Sequence, residues 1–169
     1  SVNDPQNVLV QRDGSRFLNM LMIPGEFTEN YFEANQHGTI VHPWYESKIM
    51  ATDARRLTVY LPYGYEENTK TKYPVLYLMH GAGGDEEAWP SMGRAAQILD
   101  NLSEKGLAKP MIVVVPNTNN NQYAAQTLGI PTARVDRNAQ AQYQNAYERS
   151  LAEEIVPFIE KNFRVIAKP

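Results

Sequence analysis

Two apolar rhythms alternate along this chain, and together they outline a layered fold. "TIVHPWYES" (39–47) and "RRLTVYLP" (55–62) are β-branched and aromatic runs of strand length, the second closing at Pro62. "PVLYLMH" (74–80) and "MIVVVPN" (111–117) are continuously apolar, as expected of strands buried on both faces of a parallel sheet. Between these two, "GRAAQILDNLSEK" (93–105) predicts a helix with Ala95, Ile98, Leu99 and Leu102 on one stripe, and Gly106 stands where a helix would stop. A longer helix is expected from Ala139 to Asn162, burying Tyr143, Tyr147, Leu151, Ile155, Phe158 and Ile159, with a kink at Pro157. The stretch between Pro116 and that helix is rich in Asn, Gln and Thr and reads as a long loop, of a length that is usually functional or mobile.

Residues 1–35 follow a different pattern. "VLV", "FLNMLMI" and "ENYFEA" are short apolar pieces broken by Asp13-Gly14 and Pro24-Gly25, which predicts one or two short strands and a linker. From there the order of elements is strand, strand, strand, helix, strand, helix. That order implies an α/β layered fold with a mostly parallel sheet. "FRVIAKP" falls where a further strand should begin, so the expectation is an unfinished domain with one sheet edge and one helix face bare.

Composition narrows the chemistry. With 169 residues, 43% hydrophobic and 21% charged, the chain suits one soluble globular domain. A net charge of −3, with no cluster of Lys and Arg, argues against nucleic acid as a partner. The apolar runs are too short to span a bilayer. The absence of cysteine excludes disulfides, thiolate metal sites and a Cys nucleophile together. "SVNDPQNV" carries no signal-peptide core, which fits a cytoplasmic protein or a processed chain.

The one motif with catalytic character is His80-Gly81-Ala82-Gly83-Gly84, a glycine-rich turn directly after an apolar strand. Glycines let backbone N–H groups approach a ligand oxygen, the geometry of an oxyanion hole, although a plain tight turn has the same composition. Glu86 occupies the place of the third glycine of a dinucleotide fingerprint, and there is no P-loop lysine. Ser91-Met92-Gly93 imitates the end of a nucleophile elbow, but Trp89-Pro90 precede it instead of a strand and Gly-x. Ser1, Ser15, Ser47, Ser103 and Ser150 have no G-x-S-x-G frame. The histidines are His37, His42 and His80, so no serine after position 80 has a histidine downstream of it. His80 is expected to organise the loop, and no metal site is expected at His37 and His42. Asp85-Glu86-Glu87 reads as a solvated helix start, and Glu153 and Glu154 read as surface.

Taken together, "HGTIVHPWYES", "ARRLTVYLPYGYE", "YPVLYLMHGAGGDEEAW" and "GRAAQILDNLSEKGLAKPMIVVVPN" resemble the start of the feruloyl esterase and esterase-D-like branch of α/β-hydrolases. That branch includes feruloyl and acetyl-xylan esterase modules attached to bacterial xylanases. The likeness runs over residues 36–169 and implies the N-terminal half of an α/β-hydrolase three-layer sandwich. It implies a carboxylic ester hydrolase acting on xylan of plant cell walls, feruloyl or acetyl in specificity. The nucleophilic serine, acid and histidine would lie outside this chain, which alone would be inactive. Ala82 would be the backbone oxyanion donor, shaped by Gly81 and Gly83. By position, Trp89, Asn117 and Thr118 would edge the acyl or sugar pocket. No metal or organic cofactor is implied. The implied partners are an ester-substituted polysaccharide or oligosaccharide and the C-terminal half of the same domain, with no nucleic acid and no membrane, in a secreted or periplasmic setting. Residues 1–35 resemble the tail of a preceding β-sandwich module. Two other readings share the fold: a non-catalytic carbohydrate-binding or interaction protein, and a small thioester hydrolase or acyltransferase.

Overall fold

The computed structural model describes residues 4–13, 16–81, 84–119 and 145–167. An N-terminal hairpin pairs β1 (Val10–Asp13) with β2 (Arg16–Asn19) across the Asp13-Gly14 turn signal, as the short apolar pieces predict. The main sheet holds β3 (Thr39–Val41), β4 (Trp44–Ser47), β5 (Thr52–Leu61), β6 (Val75–Tyr77) and β7 (Ile112–Pro116). Its axis is β5, which pairs with β3 and β4 along one edge and with β7 along the other. The run expected as one strand over 39–47 is divided at His42-Pro43, because proline has no N–H for the ladder. Pairing resumes where the Pro43 carbonyl accepts the Leu57 N–H at 3.0 Å.

The α/β layering is as predicted, but the sheet is mixed instead of mostly parallel. Among the described strands β3, β4 and β7 all run antiparallel to β5, and only β6 and β7 are parallel. The reason lies in the connections. A short turn joins β4 to β5, whereas a crossover carrying a helix joins β6 to β7 and forces the parallel sense.

Period-two alternation sorts side chains between two cores. Leu57, Val59 and Leu61 of β5 and Ile112 and Val114 of β7 face one side. Tyr60, Val113 and Val115 face the other. The first side is covered by a C-terminal helix, α2 (Ala146–Ser150) and α3 (Val156–Asn162) joined through a wider π turn at Leu151–Ile155. Ile155 and Ile159 are its fully buried contacts. The expected kink takes the form of this widened turn just before Pro157, whose ring cannot sit against the carbonyl four residues back in a regular helix. Residues 139–144 of the expected helix, Tyr143 among them, lie outside the described residues.

The second side is covered by α1 (Ala95–Glu104), completing three layers. Its buried positions are Ala96 and Asp100, with Leu99 partly buried, so the helix is rotated from the stripe predicted. Asp100 turns inward because its Oδ1 accepts the Tyr60 hydroxyl at 2.6 Å and the Gly38 N–H at 2.8 Å. Gly106, at φ +68°, ends the helix as expected. On the outer side of α1, Asn35 bonds Glu104, Arg94 bonds the Tyr31 carbonyl and Glu33, and Lys105 bonds Glu29.

"PVLYLMH" also departs from expectation. Leu76 is 43% exposed, and Val75 and Tyr77 are half-buried. Among the described residues β6 has a full strand partner on one side only. Its other side carries an isolated parallel bridge between Tyr73 and Val165.

Candidate active site

Loops that follow β6 and β7 meet at the carboxyl ends of these two parallel strands, where open α/β sheets place their ligands. His80 leaves β6 nine-tenths buried. The Thr118 N–H donates to its Nε2 at 2.9 Å, so Nε2 is the unprotonated nitrogen and Nδ1 carries the hydrogen. Nδ1 in turn donates to the Gly81 carbonyl at 2.8 Å. Both ring nitrogens are thereby engaged, and His80 braces one loop against the other. Gly81 is exposed, and a Cβ built on it would meet nothing within 4 Å, so its backbone borders open space. Ala82 and Gly83, the expected oxyanion donor and its neighbour, lie outside the described residues.

The acidic run behind the loop is not the solvated helix start that its charge suggests. Asp85 and Glu86 are buried, and Glu86 is wholly so. Glu86 Oε1 accepts Arg56 Nε at 2.8 Å, and its Oε2 accepts Asn117 Nδ2 at 2.8 Å. Glu87 Oε1 accepts Arg56 Nη2 and Thr58 Oγ1, both at 2.9 Å, and lies 2.8 Å from His42 Nε2. Arg55 Nη2 donates to the carbonyls of Asn117 and Asn119 at 2.6 and 2.9 Å. Adjacent arginines on β5 thus hold both loops to the sheet, one through carboxylates and one through carbonyls. The sequence carried half of the signal: two arginines in a strand that is buried require acceptors, but nothing local says which acidic residues supply them.

The remaining predicted residues fall around this point. Trp89 belongs to a π-helical segment, Ala88–Met92, and its Nε1 donates to the Met79 carbonyl at 2.7 Å while the ring stays 39% exposed. Thr118 touches His80 through both its N–H and its hydroxyl, at 2.9 and 3.0 Å. Asn117 is buried with both ends of its amide engaged, Nδ2 on Glu86 and Oδ1 accepting the Asn119 N–H. Bonds to Met79 and His80 therefore gather Gly81, Trp89 and Thr118 around the end of β6, and Asn117 next to Thr118 is buried. Ser91, the elbow look-alike, spends its hydroxyl on the Glu87 carbonyl at 2.5 Å. Among the described residues no group of three or more His, Asp or Glu side chains could hold a metal, and no helix is long and apolar enough to cross a membrane.

The sequence profile of the Esterase family matches residues 47–169. Over 132 residues the chain is 40% identical to an endo-1,4-beta-xylanase/feruloyl esterase of Xylanibacter ruminicola, covering 75% of this chain and 16% of that protein. Over 134 residues it is 31% identical to endo-1,4-beta-xylanase Y of Acetivibrio thermocellus, covering 79% of this chain and 10% of that protein. It therefore spans a small part of the relatives it matches. Among solved structures, a CE1 ferulic acid esterase of Anaeromyces mucronatus in complex with ferulic acid superposes with a TM-score of 0.64 at 27% identity. That match covers 88% of this chain and 52% of the other. A serine-to-alanine mutant of the feruloyl esterase module of Clostridium thermocellum, complexed with sinapinate, gives 0.60 at 29% identity, covering 88% of this chain and 44% of the other. The fold, the glycine loop at the strand ends and the family match converge: the chain belongs to the Esterase family and carries the α/β-hydrolase fold.

Proposed function

We propose that this chain supplies the oxyanion side of a serine carboxylesterase acting on feruloyl or acetyl esters of xylan, with the nucleophilic serine, acid and histidine outside these residues. One observation carries the reading. The glycine loop sits at the carboxyl end of β6, braced by the bond from His80 to Thr118, in a chain whose histidines are 37, 42 and 80. In this fold the triad runs serine, acid, histidine along the chain, after the oxyanion loop. Both ring nitrogens of His80 are committed to the brace, so it is not placed as a general base.

In the mechanism that follows, a serine hydroxyl attacks the ester carbonyl as a histidine takes its proton. The Ala82 N–H and the N–H after that serine hold the oxyanion. The alcohol leaves with the proton, and water then deacylates the enzyme. Buried ties from Arg55, Arg56 and Glu86 fix the segments at Glu86–Glu87 and Asn117–Asn119 to the sheet, and such fixed surroundings are what preorganisation requires. Residues 36–169 are then the N-terminal portion of the esterase domain, and a secreted or periplasmic setting suits a polymeric wall substrate. The names of the curated relatives, and structural neighbours holding ferulic acid and sinapinate, support the aryl acyl class.

The test compares this chain with a chain extended through a G-x-S-x-G serine and its histidine. The 169-residue chain is expected to hydrolyse p-nitrophenyl acetate only at background rate, and the extended one with saturable kinetics. Saturable turnover by the short chain would place the nucleophile within it and overturn the reading. Methyl ferulate, acetylated xylan and S-formylglutathione then separate the substrate classes.

A further inference from the structure

We propose that the N-terminal hairpin is a wall of the ester-binding cleft, and that Gln11 is a positioning residue that sets the Trp89 segment for an aromatic acyl group; this rests on the esterase reading above. The starting observation is a long-range bond. Gln11 Nε2 on β1 donates to the Ser91 carbonyl at 2.7 Å, across 80 positions of sequence. Ser91 lies in the same π-helical segment as Trp89. That places a piece of chain resembling a linker beside the mouth of the site.

Trp89 is held from two further directions. Its indole N–H is tied to the Met79 carbonyl at the end of β6. Its ring lies so close over Gly93 that a Cβ there would come within 2.9 Å of Cε3. The tie through Ser91 is the third, and it is the one that comes from outside the sheet. The exposed part of the indole is therefore a fixed flat surface, tied to the chain two residues before Gly81. Leu18 pairs directly across from Gln11, so the two share a face of the hairpin, and Leu18 remains 38% exposed. In the cleft we propose, Leu18 and the rigid indole stand together, and such a pair suits a planar aryl acyl group better than an acetyl group, which is too small to reach both.

The energetics point to positioning instead of stability. Gln11 Oε1 is buried without a hydrogen-bond partner. A buried acceptor left unsatisfied offsets what the bond at the other end of the amide contributes. Gln11 thus adds little net stability, and what it determines is where Ser91 and Trp89 sit.

Two measurements decide it. In the full-length protein, Gln11→Ala is expected to speed amide exchange at Ser91 and Gly93, whose N–H groups bond within this segment to Glu87 and Ala88, without lowering the melting temperature appreciably. On the full-length enzyme, Gln11→Ala and Leu18→Ala are expected to raise KM for methyl ferulate about tenfold while kcat and the constants for p-nitrophenyl acetate stay within about twofold. Unchanged exchange overturns the tether. An equal loss on both esters means general loosening and overturns the acyl-selecting wall, as does unchanged KM. No turnover of any ester by the unaltered full-length protein would sink the esterase reading and the selectivity with it, and the exchange arm would still decide the tether.

Discussion

At the scale of single residues, one methyl group marks how tightly the mouth of the site is built. Gly93 has an ordinary φ of −79°, so backbone freedom is not why glycine is there. A Cβ would lie 2.9 Å from both Cε3 and the carbonyl of Trp89, closer than such contacts allow. Gly93→Ala is expected to displace the indole, altering tryptophan emission and costing about 1–3 kcal/mol in urea unfolding. An unaltered spectrum and midpoint would count against the packing described. Glu154 makes a second test at this scale, one that depends on pH. Burial pushes its carboxyl up, but hydrogen bonds from Ser150, Ser47 and the N–H groups of Ile49 and Lys48 outweigh burial and hold it below its ordinary 4.5. A depressed folded pKa means that the unfolded chain binds more protons, so this contribution is present above about 4.5 and fades as pH falls through the folded value. Glu154→Gln should flatten the acid limb of stability measured by urea midpoints between pH 6 and pH 3. An equally steep limb in the variant would remove Glu154 from the account.

At the scale of elements, β6 and β7 read almost alike in sequence and differ sharply in the fold. Every residue of β7 is buried, because β5 and β6 flank it and both cores meet on it. Ile112→Ala should cost about 3 kcal/mol, as a fully buried aliphatic side chain does. Leu76→Ala on β6 should cost under about 1 kcal/mol, since exposed positions lose little. Equal costs in chemical denaturation would mean that the edge is covered in solution. Apolar runs make strands legible, but the number of neighbours that a strand acquires depends on residues far along the chain. Helix α1 teaches the same lesson. Its stripe was legible at Leu99, yet Asp100 is the side chain most firmly seated, because Tyr60 and Gly38 supply it with donors that no local pattern announces.

On the scale of the whole molecule, stability and site share one polar junction. Glu86 joins β5, the segment after the glycine loop and the segment after β7. Removing one member of a buried pair leaves the other partly uncompensated, so Glu86→Ala should cost about 3 kcal/mol even with Glu87 still beside Arg56. The pair of Arg94 with the exposed carboxylate of Glu33 provides the contrast, and Glu33→Ala should change stability by less than about 1 kcal/mol. If the two variants melted alike, the junction would not be the support described.

The α/β class, the turn signal at Asp13-Gly14, the helix stop at Gly106 and the glycine loop after an apolar strand were all determined by the sequence alone. Each depends on local chemistry: side-chain periodicity, turn-forming residues and the φ range open to glycine. Tertiary structure alone decided the mixed sense of the sheet, the exposure of β6, the burial of Glu86 and the bond from Gln11 to Ser91. Those depend on which distant groups meet, and a charge such as that of Glu86 is solvated or buried according to whether an arginine on another strand arrives to pair with it.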